Sequence, residues 1–216
     1  MTLYAVVQLR PETYMRTQLI LGALAVVAVG QAATFSDEGA WRTAVGIWTM
    51  DDFESYSTPS DMDVNTMLGL DFQQLSAKAA QPTVQSRFNT GGTAVSETNV
   101  LLNDNDYALP GGGDIIADSM GNLRGFGVWN TGGDDTVEIR AYDSANQLMD
   151  SITSLSGQSF VGIATTSDIA RIEISGIGGN GYFTLDNMQT SVVPEPFTMA
   201  GMAGFALLAL RRRAKK

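Results

Sequence analysis

Apolar and polar positions alternate with a period of two through much of the second half of the chain. Val137, Ile139 and Ala141 alternate with Glu138, Arg140 and Tyr142, and Ile172 and Ile174 with Arg171, Glu173 and Ser175. Alternation of this kind turns one face of a strand to a core and the other to water. Read along the chain, it predicts strands over 48–53, 83–88, 123–129, 136–142, 147–155, 160–164, 170–175 and 182–188. Most are divided by turn-forming clusters such as Asn130-Thr131-Gly132-Gly133-Asp134-Asp135 and Ser144-Ala145-Asn146. The stretch 135–189 is a nearly continuous meander, 54–82 and 89–122 carry weaker signals, and Gly111-Gly112-Gly113 marks a long loop. A single short helix is expected where Ser36-Asp37-Glu38 precedes Ala40–Val45 and Gly46 follows, a cap, first-turn acids and a terminal glycine. No internal repeat of fixed period is evident. The pattern predicts one all-β domain, an antiparallel β-sandwich over 34–192 with one short N-terminal helix.

Both ends depart from this pattern. Residues 1–14 fit neither a fold nor a targeting segment and are expected to be an over-extended start, with Met15 as the initiator. From Met15 one cation, Arg16, precedes an apolar run of 11 residues over 19–29 and then small residues at Gly30, Ala32 and Ala33. That order reads as a secretory signal peptide over 15–33, implying passage through the Sec translocon and cleavage by signal peptidase after Ala32 or Ala33. The run is short for a bilayer span, and polar sequence follows at once.

At the other end Val193-Pro194-Glu195-Pro196 leads into 14 apolar residues over 197–210 and then Arg211-Arg212-Arg213-Ala214-Lys215-Lys216. The two prolines keep the chain extended and stop a helix from starting earlier. The apolar run is short of the roughly 20 residues of a full span, but terminal cations lengthen its reach by snorkelling and hold that end in the cytoplasm. A transmembrane helix in the inner membrane, with Arg211, Arg212 and Arg213 as its stop, is therefore expected. A last helix of a globular core would hardly end in five cations among six residues.

Composition restricts what the body can do. Between Thr34 and Val193 there are six basic and 21 acidic residues, a formal charge of −15. So acidic a body repels nucleic acid, whose binding rests on Lys and Arg contacts to phosphate. The chain has no cysteine and no histidine. Stability must come from core or ions rather than disulfides, and the common general base, zinc ligand and triad member is missing. Any catalysis would use carboxylates, Lys or Tyr. Nothing in the sequence selects two carboxylates as a glycosidase-like pair, and G-x-S-x-G, S-x-x-K and a phosphate-cradling glycine loop are all absent. We expect no catalysis.

The tail, V-P-E-P followed by a short apolar helix and an arginine cluster, resembles the PEP-CTERM sorting signal of Gram-negative bacteria. The resemblance covers about 24 residues at 193–216. It implies recognition and cleavage by an exosortase, an integral-membrane transpeptidase-like cysteine protease, with Pro194, Glu195 and Pro196 as the recognised residues. It also implies export across the inner membrane, transient anchoring, and then a cell-surface or extracellular fate, often beside exopolysaccharide in a biofilm. Within the body, Asp51-Asp52-Phe53-Glu54 and Thr184-Leu185-Asp186-Asn187 resemble the first and last strands of jelly-roll carbohydrate-binding modules. That resemblance implies a jelly-roll sandwich and a structural Ca²⁺ held by Glu54 and Asp186. The bland alternative is that Asp186 and Asn187 cap a strand end and Glu54 is a solvated carboxylate.

Two further acidic clusters read as turns. Asp61-x-Asp63-x-Asn65 opens like an EF-hand loop but has Thr66 and Phe72 where the glycine and bidentate glutamate belong. Asn103-Asp104-Asn105-Asp106 is a polar turn. Of the aromatics, Trp41 and Trp129 are expected in the core, and Tyr142 alternates outward as the surface candidate for sugar stacking. The reading is an exported surface or matrix protein, structural or polysaccharide-interacting. The alternatives are a glycan-active enzyme with paired carboxylates, or a surface protein with no specific ligand.

Overall fold

The structure, a computed structural model, describes residues 32–56, 62–63, 66–73, 82–90, 93–103, 113–132, 136–178 and 181–192. The expected signal peptide up to Gln31, the Pro-Glu-Pro motif, the tail helix and its arginines lie outside these residues. Among the described residues no helix is long and apolar enough to cross a membrane.

Among the described residues there are twelve strands and two helices, and every strand pairing is antiparallel. In chain order they are β1 (Ala32–Phe35), α1 (Glu38–Val45), β2 (Thr49–Asp51), β3 (Met62–Asp63), β4 (Thr66–Met67), β5 (Leu70–Phe72), β6 (Thr83–Ser86) and α2 (Arg87–Thr90). Then follow β7 (Asn99–Leu102), β8 (Ile115–Asn130), β9 (Thr136–Tyr142), β10 (Leu148–Thr153), β11 (Ser159–Ile177) and β12 (Thr184–Val192). The expected all-β antiparallel sandwich is observed.

Two long strands build both layers. Residues 123–130 of β8 pair with 159–169 of β11, and on their flanks lie β12 and β1. Residues 115–118 of β8 pair with 171–174 of β11, flanked by β5 and by β9, which in turn pairs with β10. Between the two halves the register slips, and Met120, Gly121, Thr166, Ser167 and Asp168 are exposed. Both strands double back at this bend. Asn103 shows it for β8: its Nδ2 donates to the carbonyls of Gly113 and Gly181 at 2.8 and 3.0 Å, and its Oδ1 accepts from Phe183 N. The chain just before β8 thus sits beside the start of β12, where Leu185 pairs with Asn130 at the end of β8. For β11, a Cβ on Gly176 would meet Gly181 O at 2.9 Å and Phe183 at 3.1 Å. The sandwich therefore has a bend pole, made by both corners, and an opposite pole where the strand ends meet.

The inward residues of the two layers form one core. Val137, Ile139, Ala141, Ile172 and Ile174 face Val128, Phe126, Val161, Ile163 and Leu185, all buried. The alternation read in 136–142 and 170–175 has the inward phase expected of it.

Outside the first layer lies α1. Asp37 caps it by accepting from Ala40 N at 2.7 Å, and Gly46, at φ 75°, ends it with its N–H on Arg42 O. Its Trp41 is fully buried, and Trp41 Nε1 donates to Ile163 O at 3.0 Å. The indole fits because the strands beneath it carry Gly125, Gly127 and Gly162. A Cβ on Gly162 would stand 2.6 Å from Trp41 Cδ1, and one on Gly125 2.7 Å from Val45. Phe160 closes the seat, its ring centroid 6.1 Å from that of Trp41.

Several expected boundaries move. The strand expected over 48–53 stops at Asp51 because Phe53 adopts φ 62°. The one over 83–88 stops at Ser86, and Phe88 lies on α2 with 76% exposure. The two over 160–164 and 170–175 are one bent strand, and the last runs on to Val192. The weakly patterned stretches hold β3, β4, β5, β7 and the first half of β8. Ala32 and Ala33, where signal cleavage is expected, are the first two residues of β1, paired with Thr165 and Ala164.

Candidate functional site

The two residues singled out as calcium ligands, 132 positions apart, come together at the pole opposite the bend. Three local features bring them there. Past the end of β2, the Asp51 carboxylate accepts from Phe53 N at 2.8 Å, forming a turn that aims Glu54 inward. Past Asp186, Asn187 takes φ 47° at a bulge where β12 slips against β8 between Asp186 and Gln189. Between them passes the loop 93–99, which leads into β7.

Ser96 lies at the junction. Its Oγ stands 3.0 Å from Glu54 Oε1, 3.0 and 2.9 Å from Asp186 Oδ1 and Oδ2, and 3.2 Å from Asp52 O. One hydroxyl proton can serve only one of these four acceptors at a time. Glu54 Oε1 also accepts from Thr98 N at 2.7 Å and Asn99 N at 2.8 Å. Asp186 Oδ2 accepts from Val95 N at 2.6 Å and Ser96 N at 2.7 Å, while Oδ1 accepts from Asn187 N at 2.6 Å. Asn99 secures the first turn by donating from Nδ2 to Phe53 O and Tyr56 O.

The two carboxyls are tuned in opposite senses. Burial acts to raise the Glu54 carboxyl, but donors from Asn99, Thr98, Ser96 and Glu97 outweigh it and hold it below the usual range. Burial dominates at Asp186 and pushes its carboxyl up, although Ser96, Asn187 and Val95 all donate to it. The site is also strained and incompletely paired. Phe53 and Asn187 both hold left-handed backbone at non-glycine positions, a cost of roughly 1–2 kcal/mol each. Among the described residues Asn187 Oδ1 and Trp129 Nε1 are buried with no hydrogen-bond partner, and Trp129 pairs across the strands with Asp186.

Asp186 is completely buried and accepts from backbone N–H groups, while Glu54 is partly exposed and bonded to Thr98 N and Asn99 N. The resemblance to jelly-roll carbohydrate-binding modules pointed to both; Ser96 was missed, because an isolated serine in a weakly patterned stretch carries no sequence signal. Among the described residues no three His, Cys, Asp or Glu side chains converge as a metal centre. Oxygen donors here come instead from two carboxylates, a hydroxyl and a carbonyl.

The other candidates resolve differently. Trp41 is in the core as expected, but Trp129 is only half-buried, edge-on to Phe160 at 5.9 Å. Tyr142 does face outward, yet it is half-buried, with the Arg171 guanidinium 4.6 Å above its ring and its hydroxyl donating to Glu173 Oε2 at 3.2 Å. Asn103, expected in a polar turn, is wholly buried and staples the two layers; Asp104, Asn105 and Asp106 lie outside the described residues. Asp61 and Asn65 of the EF-like cluster lie outside them too.

No protein-family model matches the chain, and no curated protein matches it in sequence. The solved structures with a distant likeness include two of differing coverage. The K2 cleaved adhesin domain of Lys-gingipain is 12% identical, with 68% of this chain and 99% of that one covered and a TM-score of 0.45. The enzymatically active domain of bacteriophage CBA120 tailspike protein 4 is 14% identical, with 60% of this chain and 20% of that one covered and a TM-score of 0.33. Neither likeness bears on what this chain binds.

Proposed function

We propose that this chain is an exported surface or extracellular protein, sorted and released through its Pro-Glu-Pro tail by an exosortase, whose jelly-roll-like sandwich serves a structural or polysaccharide-interacting role outside the cell. The tail carries the reading: Pro194-Glu195-Pro196, an apolar run of 14 residues and a terminal basic cluster follow one another in order. The acidic body supports it, being built for solubility and repelled by nucleic acid. In this reading Sec export and signal peptidase act first, the inner membrane holds the chain transiently, and exopolysaccharide is the partner of the released body.

The junction at Ser96 supports a structural calcium ion as part of the same proposal. Calcium takes six to eight oxygens at 2.3–2.6 Å, so neighbouring ligands stand about 3 Å apart. Asp52 O, Glu54 Oε1 and both Asp186 oxygens each lie 2.9–3.2 Å from Ser96 Oγ, which gathers five oxygens of the kind calcium takes. Asn187 Oδ1, buried and unpartnered on the next residue, fits the same donor chemistry. The ion would supply positive charge to a buried carboxylate and tie the start of the domain, the 93–99 loop and β12 together.

Affinity electrophoresis of the body in the host's own extracellular polysaccharide tests the binding role: retardation is expected, and free migration would remove it. Turnover of a polysaccharide panel that one Asp or Glu substitution abolished would instead favour a glycan-active enzyme.

A further inference from the structure

The bend pole and the strand leading to the tail coincide. Val192, the last residue of β12, pairs with Leu123, the first residue of β8 past its bend. On the same row Ser191 and Ala164 both pair with Gly125, and Ala33, in β1, pairs with Ala164. The chain therefore leaves the sandwich toward its C-terminal tail at the corner formed by Met120–Asn122 and 165–168. Only Val193, Pro194, Glu195 and Pro196 separate this point from the apolar run that starts at Phe197. Four extended residues reach about 13–14 Å at most.

Three large apolar side chains are exposed beside the exit, whereas Phe88 at 76% and Leu155 at 75% are exposed toward the opposite pole. Ile47 is 69% exposed, Met120 65% and Val192 45%. Ile47 is held there by its carbonyl, which accepts from Ser191 Oγ at 2.6 Å. Arg124, on β8 just past the bend, is paired with Asp168 at 2.8 Å. The Ser96 junction is at the other end: from Asp186 to Val192 is about 20 Å along β12 at roughly 3.4 Å per residue.

We propose that the bend pole is the membrane-facing surface of the domain, with Met120, Ile47 and Val192 resting against the bilayer interface while the tail is inserted. The pole bearing Asp186, Glu54 and Ser96 then faces away from the lipid, free for an extracellular partner. This rests on the reading of the tail as a membrane helix. A body of charge −15 is repelled by anionic headgroups, so the contact depends on the tether and ends when the tail is cut.

The chain has no cysteine, which makes site-specific labelling direct. The full chain is reconstituted in vesicles of phosphatidylethanolamine and phosphatidylglycerol carrying nitroxide-labelled lipid. It bears a single fluorophore on Met120→Cys or Ser167→Cys at the bend, or on Ser156→Cys at the opposite pole; all three positions are exposed. Quenching at Met120→Cys and Ser167→Cys several-fold greater than at Ser156→Cys supports the proposal. Equal quenching at the three sites, or stronger quenching at Ser156→Cys, in chain that stays with the vesicles after an alkaline wash overturns it while leaving the anchor intact. Loss of the chain in that wash would refute the anchor itself, and the proposal with it.

Discussion

Replacing Asp186 by Asn tests the junction with almost no change of volume. The carboxylate accepts from three backbone N–H groups, Val95, Ser96 and Asn187, at 2.6–2.7 Å. An amide keeps one acceptor oxygen and turns an NH₂ toward the remaining donors. At least one buried N–H is then left unpaired, at a cost of about 1–3 kcal/mol. Removing a buried charge that burial already disfavours returns part of this, so a net loss of about 2 kcal/mol is expected. With a urea m-value of about 1–3 kcal/mol/M, the unfolding midpoint should fall by roughly 1 M. Hydrogen exchange should show the loss concentrated at Val95, Ser96 and neighbouring amides. Asp168→Asn, on a half-exposed surface pair, is the control and should shift stability by less than about 1 kcal/mol. If Asp186→Asn unfolds at the wild-type midpoint with unchanged exchange in 93–99, the carboxylate does not hold this loop and the junction as described is wrong.

The junction also gives a pH signature. Asp186 titrates above its unfolded value, so its protonated folded form gains stability as pH falls through the folded-state pKa. Glu54 titrates below its unfolded value, so its contribution is present above the unfolded pKa and is lost as pH falls through the folded one. The stability gap between wild type and Asp186→Asn should therefore widen as the medium is acidified from neutral into the upper carboxylate range; a gap that narrowed would contradict the burial of Asp186. Gly162→Ala places a methyl 2.6 Å from Trp41 Cδ1 and should cost about 1–3 kcal/mol in chemical denaturation. Trp41→Ala should cost about 3–5 kcal/mol. Asn103→Ala removes three hydrogen bonds that join the two layers and should cost about 2–4 kcal/mol by the same measurement. In thermal melts, millimolar calcium should raise Tm relative to excess chelator, by about 2.7 kcal/mol of added stability at a hundredfold excess over Kd; identical melts would remove the ion from the proposal.

What could be read from sequence was set by local physics. The strand over 136–142 has the bounds its alternation predicts, because both of its faces are committed, Ile139 to the core and Arg140 to the ion pairs outside. The helix 38–45 was announced by Asp37 and Gly46, whose roles are local. Bent strands were not legible, since the corner of β11 at 165–168 is exposed and polar and looks like any turn in sequence. The first half of β8 was hidden for the same reason, Asp118, Ser119 and Gly121 breaking its apolar run. Glu54 and Asp186 could be named because their segments resemble the first and last strands of jelly-roll modules, but their meeting point is a serine whose importance exists only in three dimensions. Trp41 was placed correctly by the helix face, whereas the three glycines that seat it lie on two strands far apart in sequence.

The sharpest single test is the intact mass of the protein recovered from outside the native host, with and without its exosortase. The account predicts an external species that has lost the apolar run 19–29 and the apolar run 197–210, and retention of the tail in the membrane fraction when the exosortase is missing. A full-length chain recovered from the cytosol in both strains would contradict it.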